Sequence, residues 1–519
     1  MAIPKPTIKS GRNLQRAYLP LLLLMIAGYC TIPLAAGTDF WAHAAVGRWI
    51  IQHHQIPSHT LFLWSDSIPW IWHSWLSQVI FYELLAHLTE NIGALMALIL
   101  TTLAVASSLL LWWPVWIKRQ VKLGADATPG FAIALIFVLA IFTAHDRFHP
   151  RPEIFSAVFL PLRLLMLIRG IASWRSLIAI FVMFALWANL HAGLAMGLLI
   201  LGISIVCNLA QDRSWTKIRW ELLALGIAIA GVFINPYGWH YWAALKPVTS
   251  VTFSFIDEWK PFWEFPLLDT PTIICAFLCF AAALSAWLGS ERRRWAHLGW
   301  LIAGFALFIL ARRNIWTLVQ IVLAVIACNP RIFITSNICQ MWHTLIRRKQ
   351  PFAPPSLKRQ TLARRCVLGC LIIAALIAQS DEFWQGIFVS PKVPAGVAQY
   401  LRSIPAGKRI FNDYEISSYL EWKLDGKQPL FIDLLNAYHP KIMEDYIKVS
   451  DGGGKAEQLL KKWRIDYVVL PQIEEDQYIG RLFVWLSIQQ KWEMVYNQPD
   501  GVIWKYNPNA KPKPLFQLQ

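Results

Sequence analysis

Long apolar runs separated by short polar links dominate the chain. They fall near residues 18–36, 91–116, 128–144, 152–170, 175–189, 192–210, 218–234, 270–289, 296–311, 314–329 and 366–380. A helix needs about 20 mostly apolar residues to cross hydrocarbon, so these runs predict about eleven membrane spans. Two pairs are tight hairpins, around Asn189–His191 and Arg312–Asn314. The run from Ala17 to Ala36 follows Lys5, Lys9, Arg12 and Arg16. It is too long for a signal-peptide core and lacks a small-residue cleavage site, which predicts an uncleaved first helix. Two links are long. In residues 37–90, Trp41–His54 and Ser74–His87 predict helices lying in the interface plane. Residues 235–271 form an aromatic-rich second loop. After about residue 385 the pattern changes. Short β-type runs (Arg409–Phe411, Pro429–Asp433, Tyr467–Pro471, Val502–Tyr506) alternate with helical ones (Pro440–Val449, Lys455–Trp463, Tyr478–Gln489). The predicted fold is an all-α polytopic transmembrane bundle over residues 1–385, followed by a small α/β extracytoplasmic domain over 386–519.

Charge orients the bundle. Arg and Lys concentrate in alternate links: Lys118–Lys122, Arg169–Arg175, Arg213–Arg219, Arg292–Arg294 and Arg331–Arg365. With these inside, the N-terminus is cytoplasmic and the C-terminal domain extracytoplasmic, in a multi-pass protein of the cytoplasmic (inner) membrane. Composition agrees: 56% of residues are hydrophobic and only 15% charged, against about 25% charged in soluble domains. The net charge of +17 is explained by these links, and basic and aromatic residues are not interleaved as a nucleic-acid groove requires, so nucleic acid is excluded as a partner. The eight cysteines show no zinc-site spacing and read as small apolar residues.

Polar groups collect at the opposite, outer ends of the spans. Asp39 and His43 follow the first run, and His73 lies later in the first loop. His145, Asp146, Arg147, His149, Arg151 and Glu153 share one turn; Asn189 and His191 form the next hairpin; Asp257 and Glu258 lie in the second long loop; Arg312, Arg313 and Asn314 form the last hairpin. Snorkelling accounts for any single histidine. It does not account for Arg151, Arg312 and Arg313, because positive residues are disfavoured on that side. Guanidinium pairs with phosphate oxygens in a two-pronged fashion, so the three arginines point to an anionic partner. Asp39 and His43 share a face if their stretch is helical. Carboxylate with imidazole suits proton transfer or a divalent metal, and a simple helix-end cap is the plainer alternative for Asp39.

The segments Gly37-Thr38-Asp39-Phe40-Trp41-Ala42-His43 with Gly47-Arg48, Trp70-Ile71-Trp72-His73-Ser74-Trp75, Pro150-Arg151-Pro152, Trp187-Ala188-Asn189-Leu190-His191-Ala192-Gly193, Asn235-Pro236-Tyr237-Gly238, Asp257-Glu258-Trp259 and Arg312-Arg313-Asn314 follow one another along the chain. Together with Asn412-Asp413-Tyr414 and Phe431-Ile432-Asp433 in the tail, they resemble bacterial membrane proteins similar to the GT-C glycosyltransferase superfamily. The resemblance implies transfer of a sugar from a polyprenyl-phosphate-linked donor to a glycan, lipid or protein acceptor outside the bilayer. It implies Asp39 as the catalytic carboxylate, as base or as holder of a divalent metal (Mg or Mn) with His43. The polar groups at the outer ends point to a site of Arg151, Asn189, His191, Glu258, Arg312, Arg313 and Asn314 for substrate and phosphate, with His73 a further candidate. Phe40, Ser74 and His59 stand where such proteins carry acids, departures that bear on metal binding more than on fold. Two other functions fit a polytopic chain. A lipid-linked glycan transporter or flippase needs polar residues at mid-membrane, and the spans look apolar apart from Arg163. A non-catalytic membrane assembly protein would need none of these groups.

Overall fold

The computed structural model describes residues 9–122, 131–212, 215–245, 256–264, 269–289, 294–330, 369, 388–472 and 480–510. A helix stands on each expected apolar run from 18–36 to 314–329. In order these are α1 (Lys9–Cys30), α2 (Asp39–His53), α3 (Trp75–Ala86), α4 (Glu90–Leu110), α5 (Trp112–Lys122), α6 (Phe131–Ala144), α7 (Glu153–Arg169), α8 (Trp174–Leu190), α9 (Leu194–Asp212) and α10 (Trp215–Val232), then Thr270–Gly289, Arg294–Leu310 and Ile315–Cys328. The run 366–380 lies outside the described residues, apart from Gly369. Among the described residues, three helices are long and apolar enough to cross a membrane: Glu90–Gln120, Leu194–Gln211 and Thr270–Leu288. Tyr18–Cys30, Trp174–Leu190 and Trp295–Leu310 are apolar but shorter. The chain is thus mostly helical with a small C-terminal sheet, and three of the expected eleven spans meet the length and composition of a membrane span among the described residues.

The chain divides into two compact units. The first comprises Met1–Ile32, Leu98–Trp239 and Ser254–Phe383. Its centre is Ile315–Cys328, buried along nearly its whole length, which packs against α5, α6, α7 and Thr270–Gly289. Pro161 interrupts α7 and has no N–H to offer the carbonyl of Ala157. Gln320 Nε2 donates to that carbonyl instead at 3.2 Å. Two residues on, Arg163 is wholly buried, with Glu221 of α10 as counter-charge; Glu221 also accepts from Asn208 Nδ2 at 2.8 Å. The guanidinium nitrogens of Arg163 are buried without a hydrogen-bond partner among the described residues, a polar centre where hydropathy shows only an apolar run.

The second unit comprises Pro33–Ala97, His240–Phe253 and Trp384–Gln519, so the first long loop folds with the C-terminal segment. Its sheet has the order β1-β2-β4-β3, with β1 (Ile410–Asn412), β2 (Tyr467–Leu470), β3 (Trp492–Gln498) and β4 (Gly501–Tyr506). β1 and β2 are parallel, as a helical crossover requires. β2 pairs antiparallel with β4, and β4 with β3, across a bulge at Met494/Tyr496. The expected strand Pro429–Asp433 forms only an isolated bridge, Leu430 to Leu63. Strand Trp492–Gln498 and helices Ala395–Ser403 and Ser417–Leu424 were not expected from the sequence. Phe411, Val468 and Trp504 bury one face of the sheet, Ile410, Val469 and Ile503 the other.

The first loop is bound into this unit at defined points. Trp64 Nε1 donates to the Ile410 carbonyl at 2.9 Å, and Asp66 accepts from the His439 N–H at 2.7 Å. Helices α2 and α3 meet at Gly47, where a Cβ would lie 2.0 Å from the Gln78 carbonyl oxygen. No side chain fits against backbone at that distance. Gly47→Ala is expected to force the helices apart at a cost of about 1–3 kcal/mol, as overpacking does, read as a lower melting temperature. An unchanged melt would mean the helices are not in this contact.

Candidate functional site

In the first unit, a charged cluster forms where three loops converge. Arg147 lies in the 3-10 turn His145–Arg147 after α6, Arg151 and Glu153 lie at the start of α7, Glu258 lies in the turn Asp257–Trp259, and Arg313 lies in the turn Arg312–Asn314. The Arg312 N–H donates to the Lys260 carbonyl at 3.1 Å and fixes two of these turns to each other. Arg147 is 6% exposed and pairs with both Glu153 and Glu258. Glu258 also takes Arg151 at 3.1 Å and Arg313 at 3.5 Å. Arg313 lies 3.9 Å from the centre of the Trp259 ring, a cation–π contact that also holds its plane. Arg312 pairs with Asp269 at 3.3 Å.

Electrostatics make Glu258 the hub. Burial opposes its charge, but Arg147, Arg313 and Arg151 outweigh burial and hold its carboxyl at about 2. Burial likewise opposes the Arg147 charge, and Glu153 and Glu258 more than restore it. Three guanidinium groups face two carboxylates in these contacts, and all three share Glu258. Beside them, Asp146 accepts from His145 Nε2 at 3.0 Å. That hydrogen bond holds the Asp146 carboxyl below its usual range, with help from the charges of Arg312 and His149.

Asn189 and Asn314 turn part of their amides inward. Asn189 Nδ2 donates to the carbonyls of Ala185 at 2.7 Å and Ile234 at 2.6 Å, and Asn314 Nδ2 donates to Leu307 at 2.9 Å. His191 is fixed by a relay. Trp187 Nε1 donates to Ser156 Oγ at 2.7 Å, and Ser156 Oγ lies 2.7 Å from His191 Nδ1. The Gly193 N–H also donates to Nδ1, at 3.1 Å. A ring nitrogen facing a backbone N–H must offer its lone pair, so the proton of the neutral ring sits on Nε2. Gly193 has no alternative, since a Cβ there would lie 2.2 Å from Ser156 Oγ. The spacing Trp187, His191, Gly193 is thus the sequence trace of a histidine set to donate through Nε2. Nitrogen-15 shifts of labelled protein are expected to show the Nε2–H tautomer at His191, and to keep it in Ser156→Ala, where the Gly193 N–H still faces Nδ1. A wild-type Nδ1–H signal would contradict the relay.

In the second unit, Asp39 is the first residue of α2. Ser418 Oγ locks that helix end, accepting from the Ala42 N–H at 2.9 Å and donating to the Thr38 carbonyl at 2.7 Å. Arg48 ties the same helix to the C-terminal segment through the Trp422 carbonyl at 2.7 Å and Asp425 at 2.8 Å. Glu415 comes against the turn before Asp39: a Cβ on Gly37 would lie 2.6 Å from its Oε2. Glu415 is reached by solvent but crowded by protein; crowding, then the charges of Asp413 and Asp39, push its carboxyl up to about 7. Nothing in the sequence spacing predicts Glu415, because it lies far along the chain from Asp39. His73 is half-buried in the turn before α3.

His43 Nδ1 lies 3.2 Å from Gln78 Nε2, whose amide hydrogen occupies that lone pair. Among the described residues, no three His, Cys, Asp or Glu side chains are placed to hold a metal ion. Mg²⁺ requires near-octahedral oxygen ligands and Ca²⁺ six to eight. Asp39 and His43 do not make such a donor set.

The chain matches no protein-family profile and no curated protein by sequence. Its likeness to solved structures is clear. The oligosaccharyltransferase AglB of Archaeoglobus fulgidus, in complex with an inhibitory peptide and a dolichol-phosphate, superposes with TM-score 0.53 at 13% identity over 95% of this chain and 74% of AglB. ArnT of Cupriavidus metallidurans, bound to undecaprenyl phosphate, superposes with TM-score 0.50 at 15% identity over 96% of this chain and 99% of ArnT. The fold is shared with these two proteins. At this identity the likeness is one of architecture, and it extends over nearly the whole chain.

Proposed function

We propose that the chain is a GT-C-type membrane glycosyltransferase, moving a sugar from a polyprenyl-phosphate-linked donor to an acceptor on the extracytoplasmic side of the inner membrane. The observation that carries this reading is the GT-C fold over 96% of the chain, shared with a protein bound to undecaprenyl phosphate. The charged cluster supports it. A lipid-borne phosphate would meet the clustered guanidinium groups, and Arg151, Arg312 and Arg313 would hold it as the sugar departs. His191 would donate through Nε2 to a phosphate or sugar oxygen. Asn189 and Asn314 would hold the hairpins that carry these groups, and His73 would contact the sugar.

Asp39 would act as general base. The acceptor hydroxyl oxygen attacks the anomeric carbon, the bond from that carbon to the phosphate oxygen breaks, and the acceptor proton passes to Asp39. The polyprenyl phosphate leaves with the electron pair, and the configuration inverts. No step runs through a divalent metal. The experiment is single-turnover transfer in proteoliposomes loaded with a polyprenyl-phosphate sugar and treated with EDTA. Release of polyprenyl phosphate with sugar appearing on the acceptor is the expected result. Donor crossing the bilayer uncleaved would instead identify a flippase.

A further inference from the structure

We propose that the C-terminal domain carries a second binding site, for an acidic sugar unit of a glycan, in the cavity beside strands β3 and β4. The cavity measures about 630 Å³ and is lined by Arg464, Trp485, Gln489, Gln490, Lys491 and Tyr506, among others. That size falls within the roughly 300–1,000 Å³ of small-molecule sites. The site is independent of the transfer reaction proposed above, since none of its residues belongs to Asp39's surroundings or the arginine cluster.

The lining chemistry selects the ligand. Trp485 and Tyr506 are half-buried, and Tyr506 is braced by Trp492 at 5.3 Å between ring centres. Fixed aromatic rings present flat apolar faces with a polar edge, which suits the C–H face of a pyranose. The Gln489 and Gln490 amides offer both donors and acceptors, as hydroxyl groups require. The acids of the cavity are already matched: Glu457 pairs with Lys461 at 2.7 Å and Asp466 with Lys408 at 3.1 Å. Arg464 and Lys491 have no ion pair among the described residues. The wall therefore carries surplus positive charge, and a guanidinium favours a carboxylate.

Backbone conformation adds an independent observation. The helix Gly453–Lys462 ends in a Schellman motif, with the Ile465 N–H donating to the Leu460 carbonyl and the Arg464 N–H to the Lys461 carbonyl, each at 3.0 Å. Arg464 takes the left-handed position, with φ of +52°, where glycine is the favoured residue. An arginine is strained there, and such strain concentrates at ligand-binding positions.

The two effects of Arg464 separate in one variant. Full-length protein in detergent is titrated by calorimetry with a galacturonate trimer, with maltotriose as neutral control and a triglutamate peptide as charge control. The trimer is expected to bind at least tenfold more tightly than either control. Arg464→Gly is expected to weaken trimer binding at least tenfold while keeping or raising the melting temperature, and Trp485→Ala to weaken it without loss of Arg464. Absence of trimer binding, equal binding by triglutamate, unchanged binding in Arg464→Gly, or a lower melting temperature in that variant would each overturn the proposal.

Discussion

Glu258→Gln is expected to destabilise the protein in the absence of ligand while tightening its grip on phosphate anions. Glu258 is the shared counter-charge of Arg147, Arg151 and Arg313. Removing one partner of a buried pair costs roughly 3–5 kcal/mol, because the other charge is left unpaired. Partial exposure of Glu258, 31% of its side chain, reduces that figure, since solvent screens the arginines. The same change raises the surplus charge by one, and an anion then replaces the missing carboxylate. Melting curves with and without decaprenyl phosphate check both effects. The variant should melt lower alone and gain more from the anion than wild type does, since a ligand stabilises in proportion to its affinity. Arg151→Gln in the same background should recover part of the loss. A variant that melts like wild type, or that no longer responds to the anion, would show that Glu258 is a ligand-binding group and not a counter-ion.

The C-terminal domain is expected to be more stable at pH 5 than at pH 8. Glu421 and Asp433 are both 1% exposed, and neither carboxyl oxygen of Glu421 has a hydrogen-bond partner among the described residues. Burial pushes Asp433 up to about 7 and Glu421 well above its usual range, with the charge of Asp433 adding to the latter. Each acid therefore keeps its proton to higher pH in the fold than in the unfolded chain. A carboxyl whose value is higher folded than unfolded takes up a proton on folding, so folding is favoured in acid. That contribution is fully present below the unfolded value, near 4, and is lost as pH rises through about 7. Hydrogen exchange of Tyr467–Leu470 should accelerate between pH 5 and pH 8 beyond the intrinsic rate. Glu421→Gln with Asp433→Asn should weaken the dependence, leaving the share of Glu415 and Asp413, whose carboxyls burial also raises. Protection that is flat with pH in wild type would contradict the raised carboxyl values.

The apolar runs made the helices legible, because period and length are properties of local sequence. Pairing was not. Arg312 and Arg313 stand out as positive residues on the expected outer side, which pointed to an anion. Their partners Asp269 and Glu258 lie 43 and 55 residues away in the chain, and the second of these is shared with Arg147 and Arg151. Glu153, read in the sequence as one polar residue of a turn, is the second acid of the cluster. The role of Ser156 was invisible for a similar reason: a serine inside an apolar helix carries no signal until Trp187 and His191 close on it. The docking of the first long loop on the C-terminal segment rests on single hydrogen bonds such as those of Ser418 and Asp66, for which hydropathy has no trace. The strand Trp492–Gln498 was missed because it is an edge strand with a half-exposed, broken alternation.

The central claim is that Asp39 removes the acceptor proton. Asp39→Asn keeps the side-chain shape and removes the basic oxygen, so single-turnover sugar transfer and donor binding should be measured together in proteoliposomes. General-base catalysis contributes about 10²–10⁴ in rate; a loss of at least a hundredfold with unchanged donor affinity is the result expected here. A variant that inserts normally and transfers sugar at the wild-type rate would contradict the assignment.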